Sequence, residues 1–307
     1  MTARSLPDPA VVVTVYDDTA LRRSQPILAA LARDAAPGDL AVCLHTTPDD
    51  SDRAAVDVVR ALGLRLWWGL PYDGVARTLR KSGGTVARAL AATWARKLGA
   101  WSPEVVCLDG EALWKPDAAA DLATLGALAL DVIAATRAEI PGAAVSWTSY
   151  DHPLWHHLPW GAILGAGGVD LHAPQVYAAP ESGVSDHRAA ASRLASARRQ
   201  WSALADAHAA VRRELLPGGE RCTVYGQIHH VTTGGAALVL DASDTSRAWA
   251  LPTRSDDAGV AALRALLLAR RATGRSAGAI ARWQRAHGLA ADGVAGPATI
   301  ASLGMTP

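Results

Sequence analysis

Residues 85–111 read TVARALAATWARKLGAWSPEVVCLDGE and set a helix directly against a strand. Small and apolar residues recur through 85–98 at the spacing of one helical face, and Gly99 ends the pattern. The run VVCLD at 105–109 then has no polar residue until its last position, as a strand buried on both faces requires. It closes on Asp109-Gly110-Glu111, a pair of acids at a strand end.

The same alternation extends in both directions. Strands are expected at 11–16 (VVVTVY), 40–45 (LAVCLH), 64–69 (LRLWWG), 105–109, 144–148 (AVSWT), 171–177 (LHAPQVY), 222–228 (CTVYGQI) and 247–251 (RAWAL). Helices are expected at 26–34, 52–62, 85–98, 118–139, 186–215 and 258–273, with the connectors after 148 and 228 less clear. Strand and helix repeated about eight times predict an α/β fold with a parallel sheet, and some 250 residues suit a (β/α)8 TIM-like barrel. An open sheet of seven or eight strands is the alternative. The barrel is expected over residues 1–274, with a small helical segment over 275–307.

The chain has 307 residues, half of them hydrophobic, and a net charge of +1. Those values exclude a disordered chain and give no electrostatic reason for a nucleic-acid partner. No run of about 18–20 apolar residues is present, so no membrane partner is expected. The start MTARSLPDPAVVV lacks the apolar core of a secretory signal, which predicts a product soluble in the cytoplasm when made. Cys43, Cys107 and Cys222 lie in separate apolar runs without metal or redox spacing and are expected as buried free thiols. A monomer is the expectation for assembly.

In a barrel the active site lies at the C-terminal ends of the strands. Residues two apart on a strand share a face, so Asp109 and Glu111 are expected to face the barrel mouth together. Glycoside hydrolysis needs one protonated carboxyl and one group to stabilise the anomeric centre, and a neighbouring like charge keeps one carboxyl protonated. The other strand ends offer Asp17, His45, Trp147, Tyr150, Gln175, Tyr177, Gln227 and Trp249 as substrate-contacting groups. Tryptophan occurs 11 times, and its flat apolar face suits a pyranose, although it also fills cores. The glycine pairs in KSGGT and TTGGA lack a phosphate-binding context, and the histidines at 152, 156, 157, 229 and 230 lack zinc spacing. No Gly-x-Ser-x-Gly elbow occurs. No cofactor and no metal are expected.

The strand-end set resembles two glycosidase families built on this barrel. Barrel-type muramidases carry Asp-x-Glu on the fourth strand and a Gln-x-Tyr-like element later, here Asp109-Gly110-Glu111 and Gln175-Val176-Tyr177. Chitinases and related N-acetylglucosaminidases carry a longer fourth-strand motif, of which Asp109 and Glu111 match the last two acids. The resemblance implies Glu111 as general acid/base, Asp109 as the residue orienting an N-acetyl group, and Tyr177 as its support.

The tail resembles the second half of the peptidoglycan-binding module of bacterial and phage wall hydrolases. It carries Trp283-Gln284, Gly288-Leu289 and the run DGVAGPAT at 292–299. That resemblance implies wall contact through Trp283, Gln284 and Asp292, with peptidoglycan glycan strands as the partner. Together the two resemblances imply an endolysin-like peptidoglycan glycosidase. A wall-binding barrel without turnover and a chitinase-like glycosidase remain alternatives.

Overall fold

The computed structural model describes residues 11–15, 18–149, 156–165, 167–178, 223–224, 227–230, 247–250, 258–274 and 278–305. Among them, strands and helices alternate: β1 (Val11–Val15), α1 (Asp18–Asp34), β2 (Leu40–His45), α2 (Arg53–Ala61), β3 (Arg65–Pro71). Next come α3 (Asp73–Ser82), α4 (Gly84–Gly99), β4 (Val105–Asp109), α5 (Leu122–Glu139) and β5 (Ala144–Ser149). The chain continues through α6 (Trp160–Leu164), β6 (Leu171–Ala178), β7 (Thr223–Val224), β8 (Gln227–His230) and β9 (Arg247–Ala250). It ends in α7 (Ala258–Thr273), α8 (Ala279–Ala286) and α9 (Pro297–Ser302). Asp17, Tyr150, Cys222 and the expected helix at 186–215 lie outside the described residues.

Every strand pairing is parallel, in the order β7-β6-β5-β4-β3-β2-β1-β9. Strand β6 pairs Leu171 with Thr223 and Gln175 with Gln227 at one constant offset, so β7 and β8 occupy a single strand position. Strand β9 pairs with β1 and also lies beside β8, which brings the two ends of the sheet together. Eight strand positions result, the α/β arrangement of a TIM-like barrel.

Register sorts the strand residues onto two faces. Val12, Ala41, Cys43, Trp67, Val105, Ala144 and Leu171 form one buried cluster, contributed by six consecutive strands, and this is the inner face. Their neighbours along the strands, Val13, Val42, Leu66, Trp68, Val106, Leu108, Val145 and Trp147, join the helices in the larger core. The helix layer forms because each helix offers a stripe to those outward residues. In α2 the stripe is Ala55, Val56 and Val59, and in α5 it runs from Leu125 to Ile133. The Asp121 carboxylate caps α5 by accepting from the Thr124 amide at 2.7 Å.

Sequence and structure agree closely on the strands, and they differ on three helices. Helix α1 starts at Asp18 rather than 26. Helices α3 and α6 have no counterpart among the expected elements. Helix α3 escapes the periodicity argument because only Val75 and Ala76 of its ten residues are fully buried, and Gly83 at φ 82° cuts it off from α4.

Helix α7 belongs to two units at once. It packs on α1 toward the barrel and on α8 and α9 toward the tail. Leu263, Leu266 and Ala269 share one core with Leu28 and Leu31 of α1 and with Ile280 and Ile300 of the tail. Its Arg270 is buried against fully buried Asp39, with Nε 3.0 Å from Oδ2 and Nη2 2.8 Å from Oδ1.

Candidate functional site

At the C-terminal end of β4, Asp109 sits on the inner-face parity of Val105 and Cys107. It is half-buried, and its Oδ2 lies 3.1 Å from Nε2 of His45 at the end of β2. Strand β3 runs between them, and the imidazole crosses it over Gly69. A Cβ at Gly69 would overlap the His45 ring, so glycine there is what permits the contact. His45, expected among the substrate contacts, thus holds an acid of the site.

Beneath this pair the inner face is closed. Cys107 packs against Ser146, with its Sγ 3.8 Å from the hydroxyl oxygen. Burial pushes the Cys107 thiol up to about 12, the Asp109 charge adds to the rise, and the Ser146 hydroxyl opposes it. Cys43, also buried, is raised by burial first, then by Cys107 and Asp109. Both thiols are free, as the sequence predicts.

Glu111 is placed differently from the strand argument. Strand β4 ends at Asp109, and the backbone turns at Glu111, with φ −122° and ψ −108°, into a short 3-10 turn over Ala112–Trp114. The alternation that would put Asp109 and Glu111 on one face therefore stops two residues short of Glu111. The turn is enforced at Gly110, whose hydrogen faces the rings of Trp147 and Trp114, where no Cβ fits. The Glu111 amide donates to Oδ1 of Asp73 at 2.8 Å.

Asp73, the first residue of α3, is the acid that sequence reasoning missed. Burial raises its carboxyl above the ordinary range and the charge of Asp109 raises it further. The amides of Glu111 and Leu113 and the cation of Arg77 pull it down. Three carboxylates, Asp73, Asp109 and Glu111, thus stem from the ends of two adjacent strands. The pairing Pro71↔Asp109 sets the two strand ends side by side.

Trp147 is corrected. It is fully buried on the outer face, stacked edge-on against Trp114 with ring centroids 4.8 Å apart, and donates from Nε1 to the Gly110 carbonyl at 3.2 Å. It supports the turn from beneath and offers no face to a sugar. Of the remaining candidates the structure describes backbone positions: Gln175 pairs with Gln227, Tyr177 with His229, and Trp249 with Val13. The register of Trp249 is thus that of an outer-face residue, whereas Gln175 and Tyr177 continue the parity of inner-face Leu171.

In the tail, the expected wall contacts are mostly internal. Gln284 is buried; its Nε2 donates to Asp292 Oδ1 at 2.9 Å, to the Val294 carbonyl and to the Thr299 hydroxyl, while its Oε1 accepts from the Gly293 amide. Asp292 Oδ1 also accepts from the Val294 amide. Both side chains hold the Asp-Gly turn together, and the burial of Gln284 corrects its assignment as a glycan contact. Trp283 is half-buried, stacks on exposed His287 at 3.8 Å and donates to Ser302.

A family model described as "Putative peptidoglycan binding domain" matches residues 274–303, so a peptidoglycan-binding domain lies at the C-terminal end. Comparison with curated proteins finds no match. Among solved structures, a beta-1,4-mannanase from the common sea hare Aplysia kurodai superposes with TM-score 0.51 at 11% identity, over 90% of this chain and 97% of its own. The exo-beta-1,4-mannosidase Op5Man5 from Opitutaceae bacterium strain TAV5 gives TM-score 0.50 at 14% identity, over 81% of this chain and 54% of its own. A GH18 chitinase from Pseudoalteromonas aurantia gives TM-score 0.47 at 12% identity, over 81% and 96%. The mannanase and mannosidase likenesses show the fold, a TIM-like α/β barrel, which here is joined at its C-terminal end to a helical segment matching the peptidoglycan-binding model.

Proposed function

We propose that the chain hydrolyses glycosidic bonds of bacterial cell-wall peptidoglycan, with Glu111 as general acid/base and Asp109 as its partner in the manner of muramidases or N-acetylglucosaminidases. One observation carries the reading: carboxylates gather at the C-terminal ends of β3 and β4 in a chain whose tail is a peptidoglycan-binding domain. Asp109 is held in place by His45, as a residue that orients an acetamide or steadies a cationic anomeric carbon must be. Such an enzyme would meet its substrate outside the membrane, after release from the cell in the way of an endolysin.

The test uses the purified full chain on purified peptidoglycan, counting new reducing ends and identifying the terminal sugar. Wild type is expected to release them, and Glu111→Gln is expected to lose roughly 10²–10⁴-fold in rate, the contribution of a general acid. Undiminished release by the folded Glu111→Gln chain sinks the assignment. A terminal muramic acid distinguishes muramidase from glucosaminidase cleavage.

A second reading, wall binding without turnover, draws on the break in the strand at Glu111. On that reading the chain sediments with the wall and releases no reducing ends.

A further inference from the structure

The loop that bears Glu111 is tied to α3 along its whole length. The Glu111 amide donates to Asp73 Oδ1 at 2.8 Å. The buried indole of Trp114 donates from Nε1 to the Tyr72 carbonyl at 3.2 Å. Near the far end of the helix, Arg80 reaches the same loop with every part of its guanidinium. Its Nη1 donates to the Leu113 carbonyl at 2.5 Å, Nη2 to the Lys115 carbonyl at 2.8 Å and Nε to Asp117 Oδ2 at 2.7 Å. Asp117 in turn closes the loop by accepting the Ala119 and Ala120 amides on Oδ1, each at 3.0 Å. The loop's entry is fixed as well, because the Tyr72 amide donates to the Asp109 carbonyl at 2.8 Å.

Surface ion pairs contribute little by themselves. Arg80 differs in that its side chain is mostly covered, at 13% exposed, and two of its loop acceptors are backbone carbonyls. Backbone groups of a βα loop otherwise face water, and such loops open at small cost. A helix that satisfies them from both ends converts a surface loop into a fixed platform. A general acid needs such a platform, since a displacement of about 1 Å can cost on the order of 100-fold in rate.

We propose that Asp73 and Arg80 are positioning residues: from the two ends of α3 they clamp residues 109–117, so that Glu111 is presented at the mouth of the barrel in one backbone conformation. The inference rests on the glycosidase reading for its catalytic consequence, and on hydrogen-bond geometry alone for the clamp. Asparagine at position 73 keeps an acceptor for the Glu111 amide, whereas alanine removes it. Lysine at position 80 keeps the charge and loses the fork that spans Leu113, Lys115 and Asp117.

The experiment compares full-length wild type with Asp73→Asn, Asp73→Ala, Arg80→Lys and Arg80→Ala. Each is checked for cooperative unfolding and then measured for amide exchange over residues 109–117 and for reducing-end release. Asp73→Ala is expected to accelerate exchange at the Glu111 amide by about tenfold or more. Its kcat is expected to fall roughly 10- to 100-fold with KM little changed, because the loss lies in orientation and not in binding. Asp73→Asn should recover most of both. Arg80→Ala should loosen 113–117 and lower kcat, with Arg80→Lys between it and wild type. Unchanged exchange in both alanine variants overturns the clamp. So does undiminished kcat in folded variants whose exchange has risen, for then the loop does not position the acid. If wild type releases no reducing ends, the glycosidase reading falls, and the exchange arm alone decides the clamp.

Discussion

Gly69 is the residue on which the geometry of Asp109 turns, since any side chain there would occupy the space of the His45 ring. Gly69→Ala is therefore expected to push His45 off Asp109 and to destabilise the chain by about 1–3 kcal/mol, the usual cost of overpacking. Urea unfolding measures the cost, and reducing-end release should fall with it; a variant as stable and active as wild type would show that the pair needs no such room. At Asp73 the sign of a pH effect follows from its raised carboxyl. Between the ordinary aspartate value and that raised value the native state binds more protons than the unfolded state. Stability therefore decreases as pH rises through this window, and the ionised carboxyl is the less favourable form above it. Asp73→Asn is expected to flatten that part of the stability-versus-pH curve in chemical denaturation; an unaltered slope excludes Asp73 as its source. The place of Asp109 at the inner-face end of β4 was legible because an acid ends an otherwise apolar run. Trp147 was misread because strand ends alone do not give parity. The sequence Ala144-Val145-Ser146-Trp147-Thr148 holds the missing signal: the small and polar residues alternate inward and the large apolar ones outward.

Among the elements, strands were legible almost to the residue, because continuous apolar runs have few other uses in a chain of this length. Helix α3 was not, and with it went Asp73, Arg80 and the support of Glu111. Its stripe is short, its outer face is rich in Arg and Lys, and much of what holds it is polar contact with a loop 30 or more residues away. Periodicity sees burial and is blind to such contacts. Helix α7 illustrates a different kind of tie. Its Arg270 and the buried Asp39 satisfy each other across the sequence, and removing one partner leaves a charge without its counter-ion in the interior. Asp39→Ala is expected to lower the unfolding free energy by about 3–5 kcal/mol, a loss readable in chemical denaturation. A change below about 1 kcal/mol, the range of an exposed pair, would mean that water compensates the pair.

At the scale of the whole molecule, the tail resembles only the second half of its module, and α7 packs on both tail helices. The core is continuous through α7: Leu28 of α1, Leu266 of α7 and Ile300 of α9 belong to one apolar cluster. The expected division at residue 274 marks where the match to the peptidoglycan-binding model begins, and apolar packing crosses it without a gap. Exchanging one domain for another needs a boundary that little apolar packing crosses. In this chain a splice at residue 274 would strand Ile280 and Ile300 without the helix they pack on. The exchangeable cassette starts ahead of Ala258, and whatever barrel receives it must offer a groove shaped like the one α1 provides here.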